Sequence, residues 1–230
     1  IPPGSIEYWI DRLTSHDVTF DGPFARFDET VLRFTDPDGT QLELVTGDSS
    51  VEPWQDGPIP SQHAIRGIHS VTIRSVSIFV TASVLDTLGF ELVDQEGDRV
   101  RYQAPGDRAT IFDLLDQDGE FGREGVGSIH HVAVRILDEE ELYEWHDLLR
   151  DRGYDVSRVH DRHFFHSLYV REPGGILFEL TTEKPGLTFD VDIDTLGQSL
   201  YLPPSLEEDR EMIEGQIQPL ELPPSLNLTE

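Results

Sequence analysis

His131 and Glu179 are the two residues of this chain best suited to share a metal cation. A neutral imidazole and a carboxylate stand 48 positions apart, each inside an alternating apolar segment. Together they make up two-thirds of the 2-His-1-carboxylate set, which holds Fe(II) while leaving coordination positions open. Singly, each has a plain explanation: a satisfied half-buried histidine, or an acid on the wet face of a strand. The pairing recurs, however, with His69 preceding Asp113 by 44 positions in a similar frame. Recurrence favours the joint metal-binding reading. Tyr169 lies ten residues before Glu179, across a Glu172-Pro173-Gly174-Gly175 turn, and is expected on the adjacent strand. The stretch from Asp161 to Tyr169 is dense in groups that carry or donate protons, with Arg162, His163 and His166 among them. His163 and His166 read equally well as parts of a polar loop. His130, next to His131, should point to the opposite face by pleat geometry unless a bulge turns it.

The elements that would position these groups repeat along the chain. Val31–Val45, Arg101–Leu115 and His166–Thr181 each show an extended stretch, a turn with Pro and Gly, and an apolar strand holding an acid. The acids are Glu43, Asp113 and Glu179, and each segment predicts a β-hairpin. Helical spacing precedes each hairpin, over Ser5–Ser15 behind a Ser5 N-cap, over Ala82–Leu88, and over Glu139–Arg152. Alternating strands over Gly67–Ile73 and Ser128–Val134 precede the last two helices and carry His69, His130 and His131. The unit is βαβββ. It predicts an α+β fold of tandem βαβββ modules forming cupped mixed sheets, with N-terminal module sequence missing. The divisions are an incomplete module at 1–47, a linker at 48–63, full modules at 64–118 and 126–182, and a Pro-rich tail with a short helix at 183–230. A first residue other than Met and a front module without its opening strand suggest a C-terminal fragment of a longer protein.

Composition narrows the partners. With 45 acidic residues against 17 basic ones, the formal charge is −28, and Lys184 is the only lysine. Such a surface repels nucleic acid and anionic membrane. Because the acids are interspersed with apolar periodicity, they read as the skin of a folded, halophilic, cytoplasmic protein in which salt screens the repulsion. There is no cysteine, so any metal must rest on His and carboxylate ligands. No apolar run is long enough to span a bilayer. The tail, with Pro203-Pro204 and Pro223-Pro224 around Met212, Ile213 and Ile217, reads as a strap or a dimer contact, which leaves homo-oligomerisation open.

The segments Gly67–Thr72, Ser128–Ala133 and Ser167–Leu180 resemble the vicinal oxygen chelate superfamily, which includes glyoxalases, bleomycin resistance proteins and extradiol dioxygenases. Within it they are most similar to ring-cleaving dioxygenases acting on hydroquinones, a similarity that extends into the tail at Leu196–Pro204. The resemblance implies that His131 and Glu179 ligate Fe(II), with Mn(II) the alternative. It also implies that Tyr169, His130 and Arg162 position substrate and move protons, and that a small aromatic substrate and O₂ are consumed. The third ligand in this branch is a histidine of the first module. In the related catechol-cleaving enzymes it stands where His69 lies. On the first pattern, His69 pairs with Glu43 as a remnant site. Two rivals remain: a glyoxalase-like isomerase or transferase, which needs a second carboxylate facing His131, and a metal-free resistance-type binding protein.

Overall fold

The strand at Leu177–Thr182 shows how this sequence makes its site. Phe178 and Leu180 are fully buried in the main apolar cluster, so the two-residue pleat turns Glu179 to the other surface. The same alternation buries Phe112 and Leu114 around Asp113, and Leu168 and Val170 around Tyr169. The computed structural model describes residues 1–106, 108–117 and 120–218. Pro223 and Pro224 lie outside the described residues.

Three sheets follow one another along the chain. The first comprises α1 (Ile6–Ser15), β1 (Phe20–Arg26), β2 (Glu29–Thr35) and β3 (Gln41–Val45), its strands ordered β1-β2-β3. The second comprises β4 (Ser70–Arg74), α2 (Ile78–Thr87), β5 (Glu91–Glu96), β6 (Arg99–Gln103) and β7 (Ile111–Leu115), ordered β4-β7-β6-β5. The third comprises β8 (Val132–Ile136), α3 (Glu139–Asp151), β9 (His160–Asp161), β10 (His166–Arg171) and β11 (Leu177–Thr182), ordered β8-β11-β10-β9. In the second and third sheets the opening strand runs parallel to the last, and the other pairings are antiparallel. These are mixed α+β sheets. One core joins sheets two and three with their helices, centred on Leu85, Leu114, Leu142, Leu149, Phe178 and Leu180. A smaller one seats Trp9 and Leu13 of α1 against Leu32 and Leu44. Each fully buried leucine of this kind stabilises the fold by about 2–5 kcal/mol relative to alanine.

Several local expectations are corrected. The opening strands are shorter than Gly67–Ile73 and Ser128–Val134 and start later, at Ser70 and Val132; Gly67 and Gly127, with φ of +123° and +78°, turn the chain ahead of them. At Gly127 a side chain would also strike the Asp38 carbonyl. His69, His130 and His131 therefore lie on the approach to a strand and not inside it. Helix α2 starts at Ile78, four residues before the expected Ala82, with the Ser77 amide donating to Ser75 Oγ at its start. Ser5 makes no capping bond to α1; its hydroxyl donates to the Gln62 carbonyl at 3.2 Å. In the tail, a short 3₁₀ turn (Pro204–Asp209) leads into α4 (Arg210–Glu214), where Met212 stays exposed.

Candidate metal centre

Three acids occupy equivalent places in the three sheets, and strand register gives each a partner directly opposite. Arg33 faces Glu43, Arg101 faces Asp113, and Tyr169 faces Glu179. The partners decide the chemistry. Asp113, fully buried, accepts from Arg99 Nη1 at 2.9 Å and from Arg101 Nε and Nη2 at 2.8 and 2.9 Å. Glu43 accepts two bonds from Arg26 at 2.6 and 2.7 Å and one from Arg33 Nε at 3.3 Å. Fixed guanidinium charge neutralises both acids. Glu179 is 4% exposed, and its contacts are of another kind: Tyr169 OH donates to Oε1 at 2.7 Å, and His131 Nε2 lies 2.8 Å from Oε2. Neither partner carries a permanent positive charge, and both can give way to a cation.

The third sheet thus brings together His131, Glu179 and Tyr169. His130 is not turned away. Its Nδ1 is 2.9 Å from His131 Nδ1, because the two residues precede β8 and no pleat separates their faces. Glu124 Oε1 accepts from Arg171 Nη2 at 2.8 Å and lies 3.9 Å from His130 Nε2. The Arg162 guanidinium sits over the Tyr169 ring at 5.9 Å, and the His160 ring meets its edge at 6.1 Å. Burial, then the charges of Arg162 and Arg158, push the His160 pKa down and favour its neutral form. Beside the pair opens a cleft of about 590 Å³, walled by His130, His131, Val132, Glu124, Arg171 and Ile176. Its size suits a small organic ligand.

Other expected residues go elsewhere. His69 does not meet Glu43: its Nε2 lies 3.1 Å from Glu29 Oε1, while Glu43 is occupied by Arg26 and Arg33. Glu29 also takes two bonds from Arg101, so sheets one and two share a buried ionic network of Glu29, Arg101, Asp113 and Arg99. His166 Nε2 stands 3.9 Å from Asp161. His163 turns to the tail, 2.6 Å from Asp190. Among the described residues, no third His, Asp or Glu joins His131 and Glu179 in a metal-sized group. The donor set fits a metal in kind, with imidazole nitrogen and carboxylate oxygen, and supplies two of three expected ligands. Sequence reasoning missed Glu29, His160 and Asp190. Only His160 had a local signal, lying on the same short hairpin as Arg162.

Mixed βαβββ sheets with an imidazole and a carboxylate converging before and within their paired parallel strands define a glyoxalase-like class. The family model described as "Glyoxalase/Bleomycin resistance protein/Dioxygenase superfamily" matches residues 84–180. The chain is 35% identical to "Putative ring-cleaving dioxygenase MhqO" of Bacillus subtilis, over 96% of this chain and 72% of that protein. It is 30% identical to the chlorohydroquinone/hydroquinone 1,2-dioxygenase of Sphingobium indicum, over 90% of this chain and 67% of that one. A crystal structure titled as a putative dioxygenase from Bacillus subtilis superposes with a TM-score of 0.90 at 36% identity, over 96% of this chain and 71% of the other. The chain belongs to the glyoxalase/bleomycin resistance/dioxygenase superfamily, and relatives named as ring-cleaving dioxygenases support a dioxygenase role.

Proposed function

We propose that this chain is the metal-binding part of an extradiol-type, Fe(II)-dependent dioxygenase that opens a hydroquinone- or catechol-type ring, with His131 and Glu179 as two protein ligands. One observation carries the reading. Of three equivalent strand acids, only Glu179 is left without a guanidinium, and a histidine already faces it at 2.8 Å. By the family resemblance the third ligand is a histidine of the branch's first module; His69, the alternative, is engaged by Glu29. A glyoxalase-like isomerase would need a second carboxylate opposite His131, and arginines hold Asp113 and Glu43.

Bound Fe(II) supplies the one-electron steps that let triplet oxygen react with a closed-shell ring. The protein groups do the rest. His131 Nε2 faces a carboxylate oxygen of Glu179 and so carries that ring's hydrogen, which leaves His130 Nδ1 to donate to His131 Nδ1 at 2.9 Å. Passing that hydrogen to His131 Nδ1 as the Nε2 hydrogen is lost would free Nε2 as a ligand. Tyr169 OH donates its one hydrogen to Glu179 Oε1 at 2.7 Å and would be free to turn it to an anionic oxygen on the ring once that carboxylate is engaged elsewhere. His130, more exposed, passes protons outward. Arg162 holds positive charge over the Tyr169 ring.

The test is metal analysis and oxygen uptake on hydroquinone and on catechol, with the full-length protein and its Glu179→Ala variant. Wild type should hold about one iron per chain and consume oxygen, and the variant should do neither. Stoichiometric iron retained by Glu179→Ala would remove Glu179 from the ligands.

A further inference from the structure

His163 is the histidine of the Asp161–Tyr169 stretch that the metal centre does not use, and its environment is unusual. Its backbone takes φ of +68°, the left-handed region that non-glycine residues enter at a cost of about 1 kcal/mol. The turn around it is tightly bonded. The His163 amide donates to Asp161 Oδ1 at 2.7 Å, and the Arg162 amide donates to the Phe165 carbonyl at 2.9 Å. Arg162 immediately precedes this left-handed residue and is held in the same turn by its own amide bond to Phe165.

Something must hold that conformation, and the tail does. His163 Nε2 lies 2.6 Å from Asp190 Oδ2 and 2.5 Å from Tyr201 OH, and Tyr201 OH donates to the same Asp190 oxygen at 2.8 Å. A carboxylate oxygen accepts only, so Nε2 carries the ring hydrogen and the tautomer is fixed. Aromatic contacts back the polar ones. Phe164 meets Tyr201 at 4.6 Å between ring centroids, and His163 meets Phe189 at 5.8 Å. The Gly186 amide donates to the Phe164 carbonyl at 2.8 Å. The segment from 184 to 202 is therefore fastened to the 161–165 turn at several points, and Leu202 at its end is buried, at 7% exposure.

We infer that His163, Asp190 and Tyr201 form a latch by which the tail holds the Arg162 turn over Tyr169, making His163 a positioning residue for the centre. The chain of contacts is short. The latch fixes the turn, the turn places the Arg162 guanidinium 5.9 Å above the Tyr169 ring, and Tyr169 OH binds Glu179. The role of the centre in this argument rests on the dioxygenase reading, whereas the latch itself does not.

The experiment uses two variants, Asp190→Asn and Tyr201→Phe, with folding checked by circular dichroism. Trypsin cleavage after Arg162 reports opening of the turn without reference to activity. Loss of one charge-assisted hydrogen bond should raise that cleavage rate about tenfold. In the iron-loaded, full-length protein the same variants should lose about tenfold in kcat/KM on hydroquinone at unchanged iron content. Cleavage after Arg162 at the wild-type rate in both variants would overturn the latch. Faster cleavage with undiminished kcat/KM would overturn the positioning role. If wild type shows no oxygen uptake at all, the dioxygenase reading fails, and the proteolysis still decides the latch.

Discussion

At the scale of single residues, the centre is defined by what stands across the strand from each acid. Arg33, Arg101 and Tyr169 occupy one structural position in three sheets, and changing that residue type changes whether the acid can accept a cation. A guanidinium opposite a buried carboxylate is a permanent counter-ion, whereas a phenol donates a hydrogen bond and leaves the charge unneutralised. Tyr169→Arg would therefore copy the arrangement around Asp113 into the third sheet. We expect that variant to fold and to bind divalent iron at least a hundredfold more weakly, which corresponds to about 3 kcal/mol. Titration with Fe(II) under nitrogen would show it; affinity equal to wild type would mean that Glu179 owes nothing to its missing arginine. The convergence of His131, Glu179 and Tyr169 was legible in sequence because each sits at a comparable place within one repeat. The orientation of His130 was not, because pleat geometry was applied to a residue that lies before the strand.

At the scale of elements, the repeat grammar of hairpins and helices was readable, since period-two and period-3.6 patterns are local. Partners between repeats were not readable. Arg101 and Glu29 are 72 residues apart and come from different sheets, and no pattern within a module encodes that contact. The same holds for Asp190 and Tyr201, which gain meaning only when the tail returns to the 161–165 turn. The Glu29 network makes a prediction of its own. Burial disfavours its charge, but hydrogen bonds from His69 and Arg101 outweigh that and hold its pKa at about 2, against 4.5 ordinarily. A carboxylate with a lowered folded pKa stabilises the fold above its unfolded value and loses that contribution as pH falls toward the folded one. The difference in unfolding free energy between wild type and Glu29→Gln should be about 3 kcal/mol at pH 7 and should shrink steadily from pH 4.5 to pH 2. Denaturant melts across that range would measure it, and a difference independent of pH would show that Glu29 is not held ionised by the network.

At the scale of the whole molecule, charge is the dominant physical fact. With 17 basic residues for 45 acidic ones, most acids have no cation to pair with, whatever the fold does. Local pairs do form, such as Arg135–Glu183 at 2.8 Å and Arg210–Glu207 at 2.7 Å, and salt weakens such exposed pairs, each worth about 0–1 kcal/mol. Salt also weakens the repulsion among the unpaired acids, which are more numerous and act over longer range. Raising monovalent salt from about 0.1 to 1 M shortens the screening length from about 10 to 3 Å. Buried pairs such as Arg101–Asp113 feel little of this. Repulsion therefore loses more than attraction does, and the folded state gains. A net gain of about 2 kcal/mol would raise Tm by roughly 4–8 °C for a chain of this size. Calorimetry in KCl from about 0.1 to 2 M should show a rising Tm that levels off once screening is complete. A Tm that falls or stays flat over the first tenfold rise in salt would mean that the acidic surface is balanced by local pairs and would overturn the expectation of salt adaptation drawn from the composition.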